Sequence, residues 1–193
     1  MFLRRCSVAG LVPALILPAL VAVAQKRQPP RESQVPYVAT SDEAVQAMLK
    51  LADVKKDDIV YDLGCGDGRI VIAAAKVAGA HGVGIDIDPR RIQEANDNAK
   101  KARVERLVRF EQKDLFEADF HDATVVTLFL REDVNLRLRP KLLKDLKPGA
   151  RIVSNTFDMY DWKPDKQLTL GGPSAELFSR KLYLWIVPRR QAK

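Results

Sequence analysis

Val60–Tyr61–Asp62–Leu63–Gly64–Cys65–Gly66–Asp67–Gly68–Arg69–Ile70 is the stretch on which the reading of this chain turns. Apolar residues lead into an acid, three glycines follow at alternate positions, and helix-forming residues continue from Ile70 to Ala75. Glycine tolerates the positive φ of a tight turn and lets a ligand approach backbone N–H groups. The order is therefore strand, ligand-holding turn, helix. A second acid, Asp86, ends the apolar run Gly82–Ile85, where a carboxylate can accept both hydroxyls of a ribose.

The flanking sequence continues this alternation. Thr40 and Ser41 precede Asp42 and Glu43, a helix start with acids at its positive end and a capping box from Thr40 to Glu43. Val45, Met48, Leu49 and Ala52 then recur at helical spacing. Ile59–Leu63 is apolar apart from Asp62, as expected of a strand covered on both faces. A helix over Ile70–Val77 closes at Gly79, and Val83–Asp86 is the second strand. Asp88 caps the next helix, with Pro89 in its first turn and Ile92, Ala95, Asn96 and Ala99 inward. Strands are predicted at Val108–Gln112, Ala123–Leu130, Arg151–Asn155 and Leu182–Val187, with an edge strand near Gln167–Leu170. Leu136–Leu146 is helical, its start reset by Pro140. His81 and His121 fall in loops. Such alternation implies right-handed crossovers and one open α/β sheet.

A chain of 193 residues forms one well-filled domain. Its net charge of +7, from 32 Lys and Arg against 25 Asp and Glu, is scattered and reads as a solvated basic surface. Aromatic residues do not interleave with the basic ones, which argues against a nucleic-acid partner. Cys6 and Cys65 are too differently placed for a structural disulfide, and with two separated histidines no metal site is expected. At the N-terminus, Arg4 and Arg5 precede an apolar run from Cys6 to Ala24. Ala22–Val23–Ala24 has signal-peptidase spacing, yet the run is nearly long enough to span a bilayer despite Pro13 and Pro18. Residues 1–24 are thus a signal peptide or membrane anchor, 25–39 a proline-rich linker or arm, and 40–193 the domain. An anchor would leave the domain membrane-associated, and a cleaved leader would export it.

In open α/β sheets, ligands bind outside the carboxyl ends of the strands. Asp62, the glycines, Asp86 and Asp114 all fall at such ends. A pyrophosphate cofactor prefers the spacing GxGxxG, whereas here Gly64, Gly66 and Gly68 alternate with Asp62 and Asp67 close by. A carboxylate there repels phosphate and attracts an ammonium group. The pattern suits a nucleoside with a cationic, zwitterionic tail, which favours S-adenosyl-L-methionine over NAD. Asp67 is either a ligand contact or an acceptor for helix-start N–H groups. Cys65 is a small packing residue.

The segment from Val60 to about Asn155 resembles the class I, seven-β-strand, S-adenosylmethionine-dependent methyltransferases. That resemblance implies a Rossmann-like open, mostly parallel seven-stranded sheet with helices on both faces and an antiparallel terminal strand. It also implies that Asp62, Gly64, Gly66 and Gly68 hold the methionine part and Asp86 the ribose. Ile87 would lie against the adenine, with Asp114 receiving its amino group and Leu115 alongside. Three features narrow the likeness: Pro36–Tyr37–Val38–Ala39–Thr40 before the first helix, the loop DLGCGDGRIV, and the apolar leader. In these the chain is similar to small lysine methyltransferases of the ATP synthase c-subunit and adenine nucleotide translocase, and to their prokaryotic relatives. Ala39 stands where their arm carries its last proline. The likeness implies a protein lysine acceptor, including membrane proteins, a monomeric enzyme, and closure of Tyr37 and Thr40 over the cofactor.

An Asn/Asp–Pro–Pro–Tyr/Phe motif, which would hold a planar amine, is absent after the fourth strand, where the chain reads Thr127–Leu128–Phe129–Leu130–Arg131–Glu132. Asp158, Tyr160 and Trp162 after the fifth strand, with Asn155 at its end, are the candidates for the acceptor side. A small-molecule or lipid-headgroup methyltransferase and a non-catalytic S-adenosylmethionine-binding protein are the alternatives.

Overall fold

The computed structural model describes residues 38–171 and 180–189. Helix α1 (Asp42–Leu51) opens the domain, followed by β1 (Ile59–Leu63), α2 (Arg69–Ala78), β2 (His81–Asp86), α3 (Pro89–Ala102) and β3 (Val108–Gln112). Then come β4 (Val125–Leu128), α4 (Glu132–Asp145), β5 (Arg151–Asn155), β6 (Lys166–Leu170) and β7 (Arg180–Ile186). The sheet order is β3-β2-β1-β4-β5-β7-β6. The first five strands are parallel, and β7 runs antiparallel to both β5 and β6.

The strand order follows from the pattern of each strand. Side chains alternate between sheet faces, so Val60 and Val125 enter one core while Tyr61, Leu63, Val126 and Leu128 enter the other. The first core is completed by Met48 of α1 and Val71 of α2, the second by Leu138 and Leu142 of α4 with Phe120 and Trp185. Helices therefore cover both faces. The chain moves outward from β1 to β2 and β3, then crosses to β4 on the other side of β1. That reversal opens a crevice above the carboxyl ends of β1 and β4.

At the opposite end of the sheet, the buried Asp58 ties four elements together. Its carboxylate accepts from the Lys55 amide at 2.7 Å and the Thr124 hydroxyl at 2.6 Å, and pairs with Arg151. Arg151 also donates to the Ala52 carbonyl at 2.7 Å. Burial alone would raise the Asp58 pKa, but Thr124, Lys55 and Arg151 together hold it below its ordinary value.

Several elements differ from the sequence reading. Ser41, not Thr40, caps α1, its hydroxyl accepting from the Ala44 amide at 3.4 Å. Thr40 is instead buried, with its carbonyl engaged elsewhere. Pro140 does not reset α4, which runs through it. Proline removes one intrahelical bond, but Val134, Leu138 and Leu142 anchor the helix on both sides of it. β4 is shorter than expected, since Phe129 and Leu130 leave the ladder. His81 begins β2 instead of lying in a loop, its amide donating to the Asp58 carbonyl at 3.0 Å. Asn96 faces solvent, its amide folded back onto the Ile92 carbonyl, while Asn98 turns toward the glycine loop.

Candidate active site

The loop between β1 and α2 is stitched to the end of β2. The amides of Gly64 and Cys65 both donate to the Ile85 carbonyl, at 2.8 and 2.9 Å, and the Gly66 amide donates to Asp86 Oδ2 at 2.9 Å. Two of the glycines serve different ends. Gly64, at φ +85°, is exposed and lines the crevice; a Cβ there would meet only the Leu130 side chain. Gly68, at φ +78°, is buried under the Phe110 ring, which a Cβ would approach to 2.6 Å. It sets the approach of α2 to β3 and α3. Gly66 is also buried, and neither it nor Gly68 lines the crevice.

Three carboxylates converge from adjacent strand ends. Asp62 is almost fully buried, and Oδ1 accepts the Thr127 hydroxyl of β4 at 2.7 Å. Burial pushes its pKa up to about 7; the Thr127 hydroxyl opposes the rise, while the nearby Asp86 and Asp67 charges add to it. Asp86 is held by two backbone donors, the Gly66 amide on Oδ2 and the Asp88 amide on Oδ1 at 3.0 Å. Its orientation is therefore set before any ligand arrives. Asp114 accepts the Phe116 amide at 3.0 Å. Asp88 caps α3, as its place in the sequence predicts. Asp67 accepts both the Arg69 amide, at 3.2 Å, and the Arg69 side chain. Burial raises the Cys65 thiol far above its ordinary pKa, so it carries no nucleophile.

Between these groups lies a cavity of about 360 Å³, within the range of cofactor sites. Residues 38–40 form one wall, and Phe116, Phe129, Leu130 and Val134 contribute apolar surface. Of the residues expected from sequence, Thr40, Asp62, Gly64, Asp86, Ile87, Asp114 and Leu115 line it. Tyr37 lies outside the described residues, as do the leader and most of the arm.

The acceptor-side candidates occupy a neighbouring region and do not line this cavity. Asp158 accepts the Tyr160 amide at 3.0 Å, and Tyr160 is 68% exposed at φ +61°. Trp162 packs near Trp185, whose indole N–H donates to its carbonyl at 2.7 Å. Asn155 is fully buried and its Oδ1 accepts the Thr156 hydroxyl at 3.0 Å. Phe116, Phe129 and Leu130 were absent from the sequence assignment; the two at the end of β4 stand beside the strand reversal, which was the available signal.

The cavity's acids and apolar residues are compatible with a nucleoside that carries an aminoacyl tail. The buried Asp62 and the exposed Gly64 line the same cavity, with Asp86, pre-oriented by two amides, next to Ile87 in sequence and Asp114 next to Leu115. Residues 62–166 match the model of the ANTKMT methyltransferase domain. The chain belongs to this family. A protein-lysine N-methyltransferase of Saccharolobus islandicus is 44% identical over 154 residues, covering 79% of this chain and 94% of the relative. The mouse adenine nucleotide translocase lysine N-methyltransferase is 36% identical over 72% of this chain, which spans 60% of that longer protein. A crystal structure described as an RNA methyltransferase from Salinibacter ruber, in complex with S-adenosyl-L-homocysteine, is 49% identical. It aligns with a TM-score of 0.75 over 81% of this chain and 97% of its own. This ANTKMT-family protein is an S-adenosylmethionine-dependent methyltransferase, with the seven-stranded sheet expected of one.

Proposed function

We propose that this methyltransferase modifies a lysine amine of a protein. The observation that carries the reading is the likeness to the Saccharolobus protein-lysine enzyme, which extends over nearly all of that relative. When bound, the cofactor supplies a methyl group on a sulfonium, ready for in-line displacement. The chain's own residues provide placement. Asp62 opposes the aminoacyl ammonium, Asp86 accepts the ribose hydroxyls, and Asp114 receives the adenine amine between Ile87 and Leu115. Such alignment, with exclusion of water, accounts for much of the rate enhancement in a displacement of this type.

The lysine must arrive neutral. Phe116, Phe129, Leu130 and Val134 supply apolar surface that disfavours an ammonium near the reacting methyl group. On this reading the turn after β5 meets the protein substrate: Tyr160 offers an exposed ring, its amide held by Asp158, with Trp162 and the buried Asn155 as the other acceptor-side candidates. The apolar run from Cys6 to Ala24, flanked by Arg4 and Arg5, would keep the domain at a membrane and favour membrane-protein substrates. Among the described residues, no helix is long and apolar enough to cross a bilayer.

RNA methylation is the second reading, favoured by the description of the Salinibacter relative. Against it stands the lack of aromatic residues interleaved with basic ones, and the missing Pro–Pro motif after β4 argues further against methylation of an exocyclic base amine. Incubation with methyl-labelled cofactor, membrane protein and total RNA separates the two. Label released by protease and recovered as methyl-lysine supports the proposal. Label released only by ribonuclease, or confined to lipid, overturns it, and cofactor binding without any label supports the non-catalytic alternative.

A further inference from the structure

Arg69, the first residue of α2, joins three parts of the site. Its Nε lies 3.0 Å from Asp67 Oδ1 and its Nη2 lies 2.6 Å from Asp67 Oδ2, a fork-on-fork pair that fixes the guanidinium plane. The third nitrogen, Nη1, donates to the Thr40 carbonyl at 2.7 Å. Asp67 is itself held to α3, since Asn98 Nδ2 donates to its carbonyl at 3.1 Å. The guanidinium thus links residues 38–40, which wall the cavity, to a glycine loop already anchored on α3.

We propose that Arg69 is a positioning residue that latches the 38–40 strap over the cofactor cavity and slows cofactor release. The inference rests on the methyltransferase reading and adds a residue that acts through the strap, without touching the reacting atoms. Two features support a latch over simple charge balance. Asp67 alone could be neutralised by any cation, yet only a planar fork can hold a carboxylate with one edge and keep a third donor for a backbone carbonyl. The bond to Thr40 also lies next to the start of α1, because Ser41 caps that helix from the next position. Val38 and Ala39 are exposed yet line the cavity, and the bond to the Thr40 carbonyl ties the residue that follows them to the glycine loop.

The test combines calorimetry with S-adenosyl-L-homocysteine, steady-state kinetics and amide hydrogen exchange on the full chain. Arg69→Ala should weaken binding about tenfold, as for loss of a charge-assisted hydrogen bond, and raise KM for the cofactor in step. The kcat should stay within about twofold, because the reacting groups are untouched. Arg69→Lys should recover part of the affinity. Amides of residues 38–41 should exchange faster in Arg69→Ala while the sheet stays protected. Asp67→Asn in the Arg69→Ala background should restore little, since it removes a carboxylate charge and does not close the strap. Unchanged affinity in folded Arg69→Ala overturns the proposal, as does full recovery on adding Asp67→Asn. Should Arg69→Ala fail to fold, Arg69→Gln gives the same readings. A wild-type protein without affinity for the nucleoside overturns the parent reading as well, and the two failures are thereby told apart.

Discussion

The Thr127 hydroxyl donates to Asp62 Oδ1 at 2.7 Å, with both side chains buried at paired positions of β1 and β4. This bond is the main local compensation for a carboxylate placed in a low-dielectric site beside two other acids. It is not enough to keep the group's ordinary acidity, and the Asp62 pKa is raised to about 7.

A pH dependence of stability follows, with a definite sign. A raised pKa means that the folded state binds the proton more tightly than the unfolded chain. The stabilisation from Asp62 is therefore complete below its unfolded value of 3.8 and lost as pH rises through about 7. Relative to Asp62→Asn, the ligand-free wild type should lose Tm between pH 5 and pH 8. An Asp62→Asn difference that is flat across this range would refute the buried, proton-holding carboxylate.

Cofactor binding should release a proton near neutral pH. An ammonium brought against Asp62 favours the ionised carboxylate and lowers its pKa. Titrations in buffers of different ionisation enthalpy should show this release in the wild type and its loss in Asp62→Asn. Equal binding enthalpies in all buffers would place the ammonium elsewhere.

Asp86→Ala should abolish most cofactor affinity, by about a hundredfold or more. The substitution removes an acceptor for the ribose and also frees the Gly66 and Asp88 amides. Calorimetry on a variant with native circular dichroism is the check. Unchanged affinity would withdraw the ribose assignment.

The two exposed-versus-buried glycines should fail in different ways. Gly68→Ala sets a Cβ 2.6 Å from the Phe110 ring and 2.9 Å from Ala95 Cβ. It should cost roughly 2–3 kcal/mol of stability, partly relieved by Phe110→Leu. Gly64→Ala meets only the flexible end of Leu130, so it should lose less stability and more cofactor affinity. Thermal melts paired with calorimetry distinguish them.

Arg151→Ala should destabilise the far end of the sheet by about 2–3 kcal/mol, leaving Asp58 buried without its cation. The held-down Asp58 pKa stabilises the fold above its unfolded value of 3.8, and this is lost on acidification. The wild-type advantage measured by urea unfolding should therefore shrink below about pH 4. A gap that widens in acid would contradict the assignment.

Much of the architecture was legible because its signals are local. Apolar or alternating runs bounded by turn residues located the inner strands and turn signals the edge strand near Gln167–Leu170, and Asp88–Pro89 and Gly79 marked helix ends through chemistry that acts within one turn. The misplaced elements were those for which distant contacts outweighed a local rule. Pro140 suggested a break, but core contacts of Leu138 and Leu142 carry α4 through it. Thr40 looked like a cap, yet its carbonyl is engaged by a residue from the next helix, and Ser41 takes the role.

The order of strands and helices, and the placing of an acid at each of three strand ends, could be read from the chain because periodicity and turn chemistry depend on near neighbours. Folding alone settled that Gly64 faces the cavity while Gly68 packs under Phe110, that Arg69 reaches Thr40, and that Asp62 holds its proton near neutrality. Those properties arise from burial and from distances between residues far apart in the chain, which no local pattern encodes.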